Sequence, residues 1–377
     1  MTMWNITKKQ WRGIAIRAIF MLGAALLLLH FLPRDKAALP RKENYAALMF
    51  QTMSTSASAR LYHPDRDFDF EPAFETIRAE FRKACDIANF FDPESELSRL
   101  NREAFDKPFR CSDELWDLLM KARFYHEKTS GAFDITVSPL LELWGQYKRG
   151  RSIPLPSPEK IEEVRKKTGM KNLQFSEKDR TVRFLVPGMK LDLGGMAKGW
   201  ALDRAAEALR KKHGIRKGFL NLGGNVLAFG GDFTAGVRNP FDGRKICAKV
   251  RISGDRALAT SGSYERFTVI DGKEYGHIID PATGRPSDRF FSATVIAETG
   301  LESDILSTSF YLRGPAMAEV FPGTPYLIVG RKESSPDETE ILKSGADWED
   351  AVPPRMPRNS DAGNQADQID DIGSEKK

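Results

Sequence analysis

The run Leu191-Asp192-Leu193-Gly194-Gly195-Met196-Ala197-Lys198-Gly199-Trp200 constrains this chain more than any other stretch. Lys190 to Leu193 reads as a strand, two glycines break it, and helical apolar spacing follows from Ala197 to Leu209. Paired glycines at a strand-to-helix turn let the backbone approach a ligand closely, and the helix start offers N–H groups to a phosphate. The same residues also suit a plain tight connection, where glycine is needed on steric grounds alone. The run therefore fixes a strand–turn–helix unit and leaves its ligand open.

With 377 residues, 41% of them hydrophobic, the chain can bury one large core or two small ones. The formal net charge is only +5, and Lys and Arg are scattered among acidic residues, so no nucleic-acid surface is marked. Cys85, Cys111 and Cys247 lie far apart and form neither a zinc pattern nor a disulfide framework. At the N-terminus, Lys8, Lys9 and Arg12 precede an apolar run from Ile14 to Leu32 broken only by Arg17 and His30. Residues 1–33 read as an uncleaved signal anchor, a transmembrane helix, or as a cleaved signal peptide. Basic residues flank both ends of the run, so charge does not settle its orientation.

Residues 34–45 read as a polar linker. Residues 46–62 alternate as a strand, and residues 72–91 have helical spacing through Phe74, Ile77, Phe81 and Ile87. A helix capped by Ser112 is expected over 113–129, and a shorter one over 158–168. A hairpin is expected from Leu173 to Leu185, turned at Lys178-Asp179. Strands recur at 218–221, 226–229, 248–252, 267–270, 293–297 and 326–329, with helices at 303–311 and 315–320. The irregular alternation and the hairpins predict an α+β fold with a largely antiparallel sheet. From Glu333 the chain turns polar, and residues 351–377 read as a disordered tail.

Several short segments carry chemistry. Asp304 and Thr308 stand four apart on a helix, so a carboxylate and a hydroxyl share one face. One carboxylate is enough for magnesium when substrate phosphates and waters complete its octahedron. From spacing alone Asp304 suits a helix cap or a solvated side chain just as well. Of the five histidines, His277 precedes the turn-forming Asp280-Pro281-Ala282-Thr283-Gly284, which sets it beside a loop at a strand end. Gly223-Gly224 and Thr260-Ser261-Gly262 read as close-approach loops or as ordinary turns. Lys198 suits phosphate neutralisation or a solvated first turn.

Taken in order, the segments Phe91 to Asn101, Gly131 to Leu140, Leu191 to Trp200, Asn221 to Asn225, Ala259 to Tyr264, His277 to Gly284 and Ser303 to Thr308 resemble the ApbE family, the FAD:protein FMN transferases. The resemblance runs from Met53 to the strand near Tyr326. It implies a single ApbE-like catalytic domain over residues 46–350, of mixed α/β architecture. It also implies Mg2+ held by Asp304, Thr308, the main-chain oxygen of Ala197 and Ser307. FAD is then a substrate, contacted by Met53, Ser95, Glu96, Leu97, Asp134, Gly194 and Lys198 early in the chain. Trp200, Thr260, Ser261, Gly262, His277 and Ile278 complete that set. His277 lies near the flavin diphosphate, as a proton shuttle or to orient a phosphate oxygen. Two positions depart from the family: Ser54 stands where glycine is usual after Met53, and Asn225 where an acid is frequent.

The implied activity moves FMN from FAD to a Thr or Ser hydroxyl of an acceptor protein, with release of AMP. The implied partner is a subunit of a membrane redox complex, and no nucleic acid is implied. The implied place is the bacterial inner membrane, with the catalytic domain in the periplasm. Two other readings stay open: a non-catalytic flavin carrier, and a magnesium-dependent FAD pyrophosphatase.

Overall fold

The computed structural model describes residues 44–147 and 153–356. The apolar run of residues 14–32 and, of the tail expected over 351–377, the part from residue 357 lie outside the described residues, while Ala351 and Val352 bond the carbonyls of Cys247 and Ile246. Among the described residues no helix is long and apolar enough to cross a membrane.

An eight-stranded sheet organises the domain. From edge to edge its strands are Asn44–Thr52, Thr55–His63, Lys217–Leu222, Asn225–Phe229, Arg256–Gly262, Phe290–Ala297, Tyr326–Lys332 and Ser335–Ser344. Every neighbouring pair is antiparallel. Because side chains alternate along a strand, the inner strands feed two cores. On one face Leu61, Leu220, Leu222, Phe229 and Ala257 meet the helices Glu71–Ala88 and Ala197–His213 through Phe74, Ile77, Phe81, Leu202 and Leu209. The helix Gly300–Arg313 covers the same face further along, packing Leu306 and Phe310 on Ala293, Val295 and Ile328. On the opposite face Val226, Ala228, Leu258, Ile296 and Leu327 lie under a three-stranded sheet, Trp348–Asp350, Asp242–Ser253 and Asp232–Asn239. The expected α+β architecture with a largely antiparallel sheet is what the chain forms.

Local departures have physical reasons. The single strand expected over 46–62 is a hairpin turned at Met53 and Ser54, which sit at φ 49° and φ 57°. Positive φ at both turn residues matches the twist of a two-residue hairpin, but it normally calls for glycine or asparagine, so the turn was hidden. Lys190–Leu193 is extended without joining a sheet: the Asn101 side chain pairs with both main-chain groups of Leu191, at 2.8 and 2.9 Å. The polar stretch after Glu333 contains the edge strand Ser335–Ser344, and an edge needs little apolar content. Beyond it Trp348, which opens an edge strand of the three-stranded sheet, is buried in the core between the two sheets and donates its indole N–H to the Ser344 carbonyl at 3.1 Å.

Candidate active site

The site forms where two helices touch by their first turns. A Cβ on Gly199 would lie 2.0 Å from the carbonyl oxygen of Gly300, and one on Gly300 would lie 2.4 Å from that of Gly199. Only a pair of glycines permits this approach. It sets Asp304, one turn along its helix and 4% exposed, so that the Gly199 N–H donates to its Oδ2 at 3.0 Å. The Lys198 ammonium lies 4.0 Å from Oδ1. In return Asp203 accepts from the N–H groups of Gly300, at 2.6 Å, and Leu301, at 2.9 Å. Burial pushes the Asp203 carboxyl up to about 6 despite these donors.

This arrangement revises the expected role of the helix start. The Ala197 N–H bonds the Leu193 carbonyl, the Gly199 N–H bonds Asp304, and the Trp200 N–H bonds the Met196 carbonyl. Most of the first-turn donors are thus spent inside the protein. The Gly194 N–H is likewise taken by Asp192 Oδ1 at 2.7 Å.

Three hydroxyls join the carboxylate. Ser261 Oγ lies 2.8 Å from Ser307 Oγ and 3.1 Å from Thr308 Oγ1, and Ser307 donates to the Asp304 main-chain oxygen at 2.9 Å. A Cβ on Gly195 would stand 3.7 Å from Thr308 Oγ1, so the glycine turn borders the same cluster. Ala197, which opens its helix two residues before Gly199, is buried beside it. Among the described residues no group of three His, Cys, Asp or Glu could hold a metal. The donors here are one carboxylate with hydroxyl and carbonyl oxygens, which fits a hard cation whose remaining positions come from phosphate and water. Asn225 shares the face of its strand with Leu227, and it is 2% exposed with no partner for its Nδ2 donor. An orphaned buried donor is costly, and it is what an absent acceptor would leave.

His277 is half-buried just beyond the strand Lys273–Gly276. Its main-chain N–H and its Nδ1 both bond the Arg266 carbonyl, at 3.1 and 3.0 Å. A carbonyl only accepts, so Nδ1 carries the proton and Nε2 presents a lone pair. Desolvation lowers the imidazole pKa to about 4, and the charges of Arg266 and Lys198 push the same way. An unfolded histidine takes up its proton near pH 6.5. Between about pH 6.5 and 4 the unfolded chain therefore binds more protons at this site, and His277 contributes stability that is lost on acidification. His277→Gln should flatten the pH dependence of unfolding in that window relative to wild type. Denaturant titrations at a series of pH values measure it, and the paired comparison cancels the other titrating groups.

Beside the histidine lies an aromatic platform that the sequence did not mark. Phe90 stacks on Tyr147 at 4.6 Å between centroids, Phe91 meets Tyr147 edge-on, and the Arg266 guanidinium lies over both Phe91 and Tyr147. Tyr147 donates to Asp192 Oδ2 at 2.7 Å, which ties the platform to the glycine turn. Phe91 is 60% exposed, so its ring is open to a ligand.

Other predicted residues are not gathered here by their side chains. Ser95 caps its own helix, accepting from the Ser98 N–H. Glu96 takes the N–H and hydroxyl of Ser112, both at 2.6 Å, and Leu97 is core. Main-chain contacts are what these three can still offer a ligand. Asp134 bonds Thr136 twice and lies 3.6 Å from His126, and burial raises its carboxyl above the ordinary range. Trp200 projects to the other side of its helix, under the Arg204 guanidinium, and lines a separate groove with Trp116 and Asp117. Thr260 pairs with Thr294 on the sheet face away from Ser261. Ile278 is core, and Met53 packs between two cores from its turn. Gly262 is fixed sterically, since a Cβ would come 2.4 Å from the Tyr264 ring.

Comparison with known proteins places this geometry in a family context. The sequence profile of the ApbE family matches residues 53–322. The FAD:protein FMN transferase of Escherichia coli K12 is 30% identical over 321 residues, covering 81% of this chain and 89% of that protein. The Vibrio cholerae protein of the same description is 32% identical over 259 residues, 65% of this chain and 77% of that one. Among solved structures, the ApbE protein of Thermotoga maritima superposes with a TM-score of 0.71 at 34% identity, covering 80% of this chain and 97% of that one. The flavin transferase ApbE of Vibrio cholerae gives a TM-score of 0.69 at 28% identity with the same coverage.

Proposed function

This chain belongs to the ApbE family, and from that premise we propose that it is an FAD:protein FMN transferase acting on a Thr or Ser hydroxyl of an acceptor protein. The observation that carries the reading is the oxygen cluster of Asp304, Ser307, Thr308 and Ser261, with Lys198 beside Asp304 and its charge felt by a neutral His277. In the reaction the acceptor oxygen attacks the FMN-side phosphorus, the P–O bond to AMP breaks, and AMP leaves with the bonding pair. Such transfers rest on positioning and charge neutralisation more than on covalent help from the enzyme.

Asp304 Oδ1, Thr308, Ser307 and the Ala197 carbonyl would hold Mg2+, which when bound neutralises charge on the diphosphate. Lys198 adds a cation beside Asp304. Asn225 supplies the buried donor that awaits an acceptor. Phe91, backed by Arg266 and Tyr147, offers a face on which the isoalloxazine ring stacks. His277, held by the Arg266 carbonyl, presents Nε2 to the acceptor hydroxyl and takes its proton as the bond forms. The anionic diphosphate next to the ring raises the proton affinity that desolvation lowers.

Within the same proposal, residues 46–350 form the catalytic domain, and residues 1–33 attach it to the bacterial inner membrane with that domain in the periplasm. The support is the apolar run from Ile14 to Leu32. The acceptor is then an exported subunit of a membrane redox complex. Product analysis after incubation with FAD and Mg2+ tests the reading: AMP release that depends on the acceptor supports transfer. Free FMN and AMP without acceptor would make the protein a pyrophosphatase, and intact bound FAD would make it a carrier.

A further inference from the structure

We propose that Asp203 is a positioning residue for the cation site, an inference that rests on the magnesium reading of Asp304. Asp203 bonds no group of the cluster itself. Its two carboxylate oxygens take the N–H groups of Gly300 and Leu301, the first residues of the helix that carries Asp304, Ser307 and Thr308. That helix already has an ordinary cap, because Thr299 Oγ1 accepts from the Glu302 N–H at 3.1 Å. That cap leaves the buried N–H groups of Gly300 and Leu301 without a partner, and it is a carboxylate from another helix that takes both.

Its value lies in alignment. Asp203 reaches from the first helix to the second, while the Gly199 N–H of the first donates back to Asp304 of the second. Between the two bonds the main chains touch at Gly199 and Gly300. Three contacts along one crossing fix both the slide and the rotation of the helices. They thereby set where Asp304 stands relative to Ala197 and Lys198, which belong to the other helix. Asp203 acts on the cation through Asp304, as outer-shell partners do, and their loss typically weakens metal binding about 10–100-fold.

The test uses Mn2+ as the probe in the presence of FAD and the absence of acceptor, with the free ion followed by electron paramagnetic resonance. Wild type, Asp203→Asn and Thr299→Ala are compared, with Tm recorded for each. Asparagine keeps one acceptor but turns an amide donor toward the other N–H. The expected result is Mn2+ binding about 10–100-fold weaker in Asp203→Asn. Thr299→Ala, which removes only the ordinary cap, should lower Tm and bind Mn2+ as wild type does. Wild-type affinity in Asp203→Asn, or an equal loss in Thr299→Ala, would reduce Asp203 to a stabilising cap and overturn the inference alone. Absence of Mn2+ binding by the wild type would overturn the magnesium reading and this inference with it. Should Asp203→Asn not fold, Asp203→Glu, which keeps the charge but shifts it by a methylene, is judged by the same comparison.

Discussion

Asp304→Asn is expected to lower FMN transfer by about two to three orders of magnitude while leaving the domain folded. A cation on a diphosphate contributes several kcal/mol of charge stabilisation, and each 1.36 kcal/mol is a factor of about ten in rate. Asparagine still accepts from the Gly199 N–H, so the bond that spans the helices survives and only the charge is lost. Single-turnover transfer assays over a range of Mg2+ concentrations, with circular dichroism for the fold, check this. A variant that transfers at the wild-type rate would remove Asp304 from the metal site.

Gly199→Ala should be severely damaging for a single methyl group. Its Cβ would stand 2.0 Å from the Gly300 oxygen, 2.4 Å from the Gly300 carbonyl carbon and 2.8 Å from the Leu301 nitrogen, all main-chain atoms that cannot swing aside. Overpacking ordinarily costs about 1–3 kcal/mol, and here relief requires two helices to separate, so a loss of about 3 kcal/mol or more is expected. Transfer activity should fall with it, because separation pulls Asp304 away from Gly199. Gly214→Ala, at the far end of the same helix, is the contrast. It meets nothing within 4 Å and bears only the left-handed backbone at φ 64°, a cost of about 1–2 kcal/mol. Equal destabilisation by the two substitutions, measured by denaturant unfolding, would refute the close-crossing account.

What was legible in the sequence follows from how local each signal is. The four-residue spacing of Asp304 and Thr308 places both on one helix face, whereas the approach of Ser261 to Ser307 and Thr308 comes from the fold. The helix after Gly194-Gly195 was visible because its apolar spacing and its glycine break are both local. Contacts between distant segments left no such trace. Nothing in the residues around Asp203 says that its carboxylate caps another helix 97 positions later. Neighbouring positions were also easily confused: Thr260 and Ser261 belong to opposite faces of one strand, and Lys198 and Trp200 to opposite sides of one helix. Ser95 and Glu96 sit in a segment that resembles a flavin loop, yet their side chains brace the helix starts at Glu96 and Asp113. Phe91 opens that same segment, but its partners Tyr147 and Arg266 come from distant parts of the chain and left no local trace.

The measurement that bears most directly on the central claim is the intact mass of a candidate acceptor domain after incubation with the protein, FAD and Mg2+. The account predicts a mass gain of one FMN on the acceptor, mapped by fragmentation to a Thr or Ser, with AMP appearing in step and a far slower gain when Asp304→Asn replaces the wild type. An acceptor known to be modified by the Escherichia coli enzyme that keeps its original mass, while FAD stays intact or is merely split into free FMN and AMP, would contradict it.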